Sequence, residues 1–156
     1  MASPGEFVIT KLDRNDFEEW AALFKGYINF YETSIPEDQY QKTFERILDP
    51  KSDLDALVMR QQETESGKSK MIALAHFFPE QTPWSEKKIL LLNDLFVDPA
   101  LRGKGQGRRM IQAAADIAKE MGCLRLQWLT KHDNLNARRL YDTMADSQFV
   151  QYRMSM

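Results

Sequence analysis

Three glycines and four cations occur within the eight residues from Arg102 to Arg109. The glycines stand at positions 103, 105 and 107, between a predicted strand and a predicted helix. The first amides of a helix have no partners inside it, glycines let a backbone approach a ligand closely, and the helix dipole adds partial positive charge. The stretch therefore predicts a cradle for an anion such as a pyrophosphate.

Two common phosphate-binding motifs do not fit this stretch. The Walker loop is absent. The dinucleotide fingerprint requires a glycine where Arg108 stands and follows a first strand, whereas this loop follows the predicted fourth strand. A helix start that merely needs flexible turns is the remaining alternative, and the number of glycines and cations argues against it.

The spacing Arg/Gln-x-x-Gly-x-Gly/Ala is met by Arg102, Gly105 and Gly107, and it resembles the coenzyme A site of the GNAT superfamily of N-acetyltransferases. The preceding run Leu92-Asn-Asp-Leu-Phe-Val-Asp-Pro99 and the later segment Asn134-x-x-Ala137-x-x-Leu140-Tyr141 are similar to that family's signatures. The resemblance extends from about Phe7 to Arg153. Pro83-Trp84 looks like the diamine acetyltransferase branch, whereas Asn93-Asp94 looks closer to the yeast histone-and-other-protein acetyltransferases and their bacterial relatives.

The resemblance implies that acetyl-coenzyme A binds as a co-substrate and that no metal is required. In this family the fourth strand separates from the fifth, and the exposed backbone pairs with the pantetheine arm. One backbone amide of that segment would also polarise the thioester oxygen. The implied cofactor-binding residues are Leu95, Phe96, Val97, Arg102, Gly103, Lys104, Gly105, Gln106, Gly107, Arg108, Asn134, Ala137 and Tyr141.

Tyr141 and Asp94 are the implied catalytic residues. Tyr141 matches the family's general acid for the departing thiolate, and packing in the core is its alternative. Asn134 is expected to cap the last helix and to touch the coenzyme A arm. Asp94 is the carboxylate that could hold the amine or take its proton through water; its alternative is to point into the interior and cap a loop. Strand alternation places Asn93 and Asp94 on opposite faces, so only one of them can face the substrate.

The predicted acceptor pocket combines aromatic and acidic side chains, which suits a cationic amine. Its residues are Tyr27, Tyr31, Glu32, Trp84, Asn93 and Asp94. Core packing is the alternative for the two tyrosines, because they lie four residues apart on one helix face. His76 is interpreted as a strand residue without a special role, and His132 as a residue of a solvated loop.

Composition excludes several classes of protein. A net charge of −2 over 156 residues gives no general nucleic-acid footprint, and no stretch approaches the ~20 apolar residues that span a membrane. A single cysteine predicts a reducing, cytoplasmic location. Residues 13–65 hold thirteen acidic and six basic groups, whereas residues 98–156 hold six acidic and ten basic ones. The first part should attract amines and the last part phosphates.

Hydrophobic periodicity predicts a single α/β domain over residues 1–156, and the resemblance implies a GNAT-like fold with a mixed sheet of about six to seven strands and about four helices. Residues 1–6 are assigned no function and are interpreted as disordered or cloning-derived. Residues 61–70 are expected to form a hairpin loop. Predicted strands are Phe7–Leu12, Leu54–Arg60, Met71–Phe78, Ile89–Val97, Leu124–Thr130 and Phe149–Met154; predicted helices follow Asp13 and Pro36 and cover Gly105–Met121 and Asn134–Met144.

The leading hypothesis is acetyl transfer to a small primary amine such as an amino acid or a diamine. Acetylation of lysines in basic proteins and non-catalytic sensing of acyl-coenzyme A are the alternatives. The resemblance also implies a homodimer with the C-terminal strand near the interface, where Phe149, Val150, Tyr152 and Met154 would supply an apolar face.

Overall fold

The computed structural model of the chain describes residues 6–63 and 68–156. One sheet has the strand order β1-β2-β3-β4-β5. Its neighbours are antiparallel except for β4 and β5, which are parallel. The strands are β1 (Phe7–Lys11), β2 (Asp55–Gln62), β3 (Ser69–Thr82), β4 (Ser85–Val97) and β5 (Leu126–Trp128); the helices are α1 (Phe17–Phe30), α2 (Glu37–Leu48), α3 (Gln106–Glu120) and α4 (Leu135–Tyr141), with 3-10 turns at Arg14–Asp16 and Pro99–Leu101.

The predicted α/β mixture with four helices is confirmed, but the prediction of six to seven strands is wrong, because the described residues form five. The absent strand is the one expected at Phe149–Met154. Those residues are exposed and lack regular structure, and none of the described strands pairs with them. A strand needs a neighbour for its backbone hydrogen bonds. Residues 1–5 and 64–67, which belong to the unassigned N-terminal segment and the expected hairpin loop, lie outside the described residues.

Helices α1 and α2 cover one face of the sheet. Helical spacing of aromatic residues in α1 places Trp20 and Phe24 inward, where they pack against Tyr40 and Phe44 of α2. Trp20 is completely buried. Truncating a buried tryptophan of this kind to alanine costs about 3–5 kcal/mol. The packing therefore holds the C-terminal end of α1 firmly beside β3 and β4.

Helix α3 covers the other face. Met110, Ile111 and Ala118 recur at helical spacing and pack against Leu90 and Leu92 of β4. This packing places the N-terminus of α3, and the loop before it, directly after the end of β4. Across residues 6–63 and 68–156, no helix has the length and apolarity needed to cross a membrane.

Local signals at the helix starts explain their positions. Asp13 accepts a hydrogen bond from the Asn15 amide at 3.0 Å, and Asp16 accepts one from the Asp13 amide at 2.8 Å, which forms a capping box before α1. Pro36 stands at the N-cap of α2. The predicted helix starts at Asp13 and Pro36 are thus confirmed, with a 3-10 turn preceding α1.

Candidate active site

A bulge in β4 opens the edge of the sheet beside β5. Pairing with β3 steps from Phe77↔Leu92 to His76↔Asp94, so Asn93 is the extra residue. β5 pairs with β4 only as far as Leu92. Among the described strands, the rest of β4 has β3 on one side and no neighbour on the other. Bulges end local pairing, and here the bulge leaves backbone groups that an extended ligand could pair with as an added strand would.

The bulge also determines where the side chains of β4 lie. Leu92 belongs to the core beneath α3, whereas Asp94 contacts His76 on the α1 side. Asn93 Nδ2 donates to Asp94 Oδ1 at 3.1 Å. The expectation that Asn93 and Asp94 lie on opposite faces is therefore wrong, because a bulged residue does not follow strand alternation.

The glycine-rich loop presents an open surface at two of its glycines. Gly103 has a φ of 95° and Gly105, the N-cap of α3, a φ of 77°. A Cβ atom added at either would meet no heavy atom within 4 Å. Gly107 differs, because an added Cβ would lie 3.3 Å from Leu140 Cδ2 of α4. Gly103 and Gly105 thus leave room for a ligand beside the helix N-terminus, whereas Gly107 permits close helix packing.

Gln106 braces the loop from within. Its side chain is 2% exposed, its Oε1 accepts a hydrogen bond from the Lys104 amide at 2.9 Å, and its Nε2 donates to the Leu101 carbonyl oxygen. The side chain of Gln106 and the amide of Lys104 are therefore engaged inside the protein. Sequence reasoning named Gln106 as a cofactor ligand, and its backbone N–H at the first turn of α3 is the group left for that role.

The cations of the loop are partly anchored to the protein. Arg102 Nε donates to the Val97 carbonyl oxygen at 3.0 Å, and its guanidinium lies over the rings of Phe30 and Phe96. Arg108 Nη2 donates to Thr143 Oγ1 at 2.7 Å. These contacts fix the positions of both guanidinium groups while their charge continues to favour an anion nearby.

Tyr141 ends α4 on the far side of the opening in the sheet. Its ring packs edge-on against Trp128 of β5, with 5.5 Å between the centroids. Burial raises the pKa of the Tyr141 phenol, and the neighbouring Tyr31 raises it further, while the positive charge of Arg102 acts in the opposite direction. Tyr141 is therefore a neutral hydroxyl that can donate a proton or a hydrogen bond.

Asn134 stands at the N-cap position of α4, but its side chain makes no capping hydrogen bond. Its Nδ2 donates instead to Thr130 Oγ1 at 3.1 Å, so the predicted side-chain cap is wrong. Ala137 lies on the same helix and is half-buried. Both residues lie on the segment between β5 and Tyr141.

Tyr27 and Tyr31 connect the two sides of the site. Their ring centroids are 5.0 Å apart, and Tyr27 also packs edge-on against Phe96 at 5.7 Å. Burial, the negative charge of Asp94 and the neighbouring Tyr31 all raise the pKa of Tyr27. The two tyrosines are half-buried, so they pack against the core and border the site as well.

Glu32 and Trp84 take other positions. Glu32 is exposed and ends α1 with a φ of 55°, a left-handed conformation that is uncommon outside glycine. Trp84 is 94% exposed and lies in the turn between β3 and β4. At a rise of about 3.3 Å per strand residue, Trp84 lies roughly 30 Å along β4 from Asp94. The chain does not bring Trp84 to the other candidate residues.

Two residues of the site, His76 and Lys131, were given no functional role from the sequence. His76 is buried, accepts a hydrogen bond from Trp20 Nε1 at 2.9 Å, and lies 2.8 Å from Asp94 Oδ2 through its Nδ1. His76 lies in β3, as expected for a strand residue, and its side-chain contacts with Trp20 and Asp94 were not predicted. Lys131 places its Nζ 5.2 Å from the centroid of the Tyr31 ring. Each depends on contacts between distant segments, and no local motif marks it.

Comparisons with known proteins agree with this geometry. A family model described as the acetyltransferase (GNAT) family matches residues 19–145. The D-amino-acid N-acetyltransferase HPA3 of Saccharomyces cerevisiae is 34% identical over 139 residues, which are 88% of this chain and 83% of that protein. The L-ornithine N5-acetyltransferase NATA1 of Arabidopsis thaliana is 30% identical over 78 residues, which are 50% of this chain and 34% of that protein.

A solved structure extends the comparison to the whole fold. An aminoglycoside N-acetyltransferase, AAC(6')-Iy in complex with CoA, superposes with a TM-score of 0.76 and covers 100% of this chain and 99% of that one. The two sequences are 17% identical, so the likeness concerns the fold.

Proposed function

The chain belongs to the acetyltransferase (GNAT) family, and from this premise we propose that it transfers the acetyl group of acetyl-coenzyme A to the primary amine of a small molecule, specifically an amino acid. The observation that carries the proposal is the bulge at Asn93, since it opens the edge of β4 between the glycine loop and Tyr141. Acetyl-coenzyme A supplies the acyl group already activated as a thioester.

The residues around the opening fit coenzyme A. The open space at Gly103 and Gly105, together with the unpaired amides at the start of α3, suits a pyrophosphate. The backbone of Leu95, Phe96 and Val97 provides the free strand edge for the pantetheine arm. A Cβ at either glycine would occupy space on this surface, which links the residue type to the ligand.

Tyr141 holds the proton that the departing thiolate needs. Because burial raises its pKa, the phenol keeps its proton at neutral and moderately alkaline pH. Its ring is held by Trp128, so the hydroxyl has a defined position beside Tyr31. A fixed, protonated phenol is what general acid catalysis requires.

Asp94 handles the acceptor amine. Its carboxylate accepts a hydrogen bond from Asn93 and contacts His76, so it has a fixed orientation at the edge of the opening. An ammonium group placed against it would be held electrostatically and could lose its proton to the carboxylate, directly or through water. Tyr27 is neutral and adds a hydroxyl next to the same carboxylate.

The position of Lys131 supports an acceptor substrate that carries a carboxylate group as well as its amine. The ammonium of Lys131 lies over Tyr31, which in turn packs on Tyr27 beside Asp94. A negative group at one end and a positive group at the other suit an amino acid better than a diamine, since a second substrate cation would approach Lys131. The relatives named for D-amino acids and L-ornithine agree with this class.

Release of free thiol from acetyl-coenzyme A in the presence of an acceptor panel tests the proposal. The panel pairs each amino acid with the amine that lacks its carboxylate, and it includes diamines and lysine peptides. We expect the amino acids to give the higher kcat/KM. Preference for lysine peptides would favour acetylation of proteins, and binding of coenzyme A without acceleration by any amine would favour a non-catalytic sensor; either result contradicts the proposal.

We further propose that the chain works as a homodimer. Phe149, Val150, Tyr152 and Met154 are between 79% and 92% exposed on a segment without regular structure. Contiguous exposed apolar groups typically mark an interface, and a second copy would cover them. Sedimentation analysis of the full chain and of a chain ending at Ser147 tests this: we expect a dimer and a monomer, respectively, and a full-length monomer at micromolar concentration would contradict the proposal.

A further inference from the structure

We propose that His76 is a positioning residue for Asp94, and that Trp20 keeps the Nε2 of His76 unprotonated. The proposal rests on the proposed function, because it assigns a partner to the carboxylate that handles the acceptor amine. It links α1, β3 and β4 through one buried line of hydrogen bonds. His76 contacts neither substrate in this arrangement and acts through Asp94.

The Trp20 side defines the protonation of the imidazole. Trp20 is completely buried and His76 is 2% exposed, so water does not compete for their polar atoms. Trp20 Nε1 lies 2.9 Å from His76 Nε2. An indole N–H can only donate, so Nε2 must accept, and the proton of the neutral ring is on Nδ1. A proton on Nε2 would bring two N–H groups face to face.

Asp94 accepts a hydrogen bond from the protonated Nδ1 of His76. His76 Nδ1 lies 2.8 Å from Asp94 Oδ2, and the tautomer makes Nδ1 the donor. The other carboxylate oxygen, Oδ1, accepts from Asn93 Nδ2 at 3.1 Å. With each oxygen engaged by a different donor, the carboxylate is held in one rotation.

The imidazole cannot turn away from this role. Its ring lies edge-on to Phe24 at 4.8 Å and to Trp20 at 5.7 Å between centroids. Both aromatic residues are themselves packed in the α1–α2 core. His76 and Asp94 also form the strand pair immediately next to the bulge at Asn93. The line of hydrogen bonds therefore ties the carboxylate to the rigid core at the point where β4 leaves β5.

Two variants of His76 separate positioning from stability. His76→Asn places an amide N–H₂ near the former Nδ1, so it can still donate to Asp94 but loses the contact with Trp20. His76→Gln places its amide oxygen near the former Nε2, so it can still accept from Trp20 but loses the contact with Asp94. The two variants are close in size and each keeps one of the two partners.

We expect different kinetics for the two variants at saturating acetyl-coenzyme A. His76→Asn should keep kcat within about 5-fold of the parent protein, whereas His76→Gln should lose about 10²-fold, the usual effect of misplacing a reacting group by about 1 Å. Melting temperatures serve as the control for folding. Equal kcat values in the two folded variants, whether both normal or both reduced, would overturn the positioning role.

A spectroscopic measurement tests the tautomer without any substrate. The chain contains two histidines, so His132→Gln leaves His76 as the only signal in protein labelled with ¹⁵N-histidine. We expect a protonated Nδ1 and an unprotonated Nε2 that accepts a hydrogen bond. In Trp20→Phe, which keeps an aromatic ring without the N–H, Nδ1 should stay protonated because Asp94 still accepts from it, and the Nε2 signal should shift because its hydrogen-bond donor is gone. A protonated Nε2 in the parent protein would overturn the proposal. Failure of the acceptor panel would sink the proposed function and leave this spectrum unchanged.

Discussion

Replacing Tyr141 by phenylalanine removes one hydroxyl and leaves the ring in place. The edge-on contact with Trp128, 5.5 Å between centroids, does not involve that hydroxyl. Loss of one partly buried hydrogen-bonding group costs about 1 kcal/mol of stability. Loss of a general acid lowers turnover by ~10²-fold or more, which corresponds to about 2.7 kcal/mol of transition-state stabilisation. Turnover should therefore fall far more than stability.

The assay for Tyr141→Phe is steady-state thiol release, with coenzyme A affinity measured by calorimetry. We expect kcat to fall and the affinity to stay nearly unchanged. Tyr40→Phe is the matched control, because Tyr40 is a buried ring packed on Phe24 in the other layer of the fold. The reasoning is refuted if Tyr141→Phe turns over as fast as the parent protein.

The raised pKa of Tyr141 adds a pH dependence with a definite sign. The acid form is the active one, and burial, together with Tyr31, moves its pKa above the ordinary value of 10.0. The proton is therefore lost only at strongly alkaline pH. The falling limb of kcat from this group should have its midpoint above pH 10.0 and not between neutral pH and that value. A falling limb in that range that disappears in Tyr141→Phe would mean that the phenol is not protected by burial.

Three further predictions concern the loop, the acceptor and the fold. Gly105→Val should weaken coenzyme A binding at least 10-fold by calorimetry, whereas Gly122→Val, at a similar positive φ of 71° but at the far end of α3, should lower the melting temperature without changing affinity. Lys131→Gln should raise KM for an amino acid about 5-fold, as expected for about 1 kcal/mol, and leave KM for the decarboxylated amine unchanged. Burial raises the pKa of Glu19, but a backbone N–H and Arg60 lower it more, so the pKa in the folded protein lies below the ordinary value of 4.5. The ionised Glu19 carboxylate therefore gives its full stabilisation above pH 4.5. This stabilisation is lost as the pH falls through the lower pKa of the folded protein. Arg60→Met should therefore flatten the acid-side loss of stability in denaturant titrations.

The sequence predicted the parts of the site that depend on neighbouring residues. A strand, a 3-10 turn, a glycine loop and a helix follow one another along the chain around Gly105, so their order is readable locally. Tyr141 was predicted to lie on the last helix for the same reason, although that helix ends at Tyr141 and not at Met144. The roles of these residues stay predictions until the variants are measured.

The parts that failed depend on long-range register. The turn pairs Thr82 with Ser85, and regular counting from that pair would place His76 opposite Leu91. Irregularities in the ladder shift the register, so His76 lies opposite Asp94 instead. No local pattern in either strand announces that shift, and the buried line from Trp20 could not be inferred without it.

The strand expected at residues 149–154 failed for a different reason. Its apolar residues have strand-forming character, but a strand also requires a neighbour to supply hydrogen bonds. Within one chain, the described strands do not provide it. The apolar pattern of residues 149–154 thus indicates that this segment can form a strand, and the strand forms only when a neighbouring strand pairs with it.

Deleting the extra residue of β4, Asn93, should abolish the reaction and keep the fold. Leu92 and Asp94 already face opposite layers, so excising Asn93 would join them into a strand with ordinary alternation. A protein without Asn93 should fold and melt at a higher temperature. Its β4 should pair with β5 over more residues, because the bulge that keeps the two strands apart would be gone. It should also lack acetyltransferase activity, since the opening between β4 and β5 would have closed.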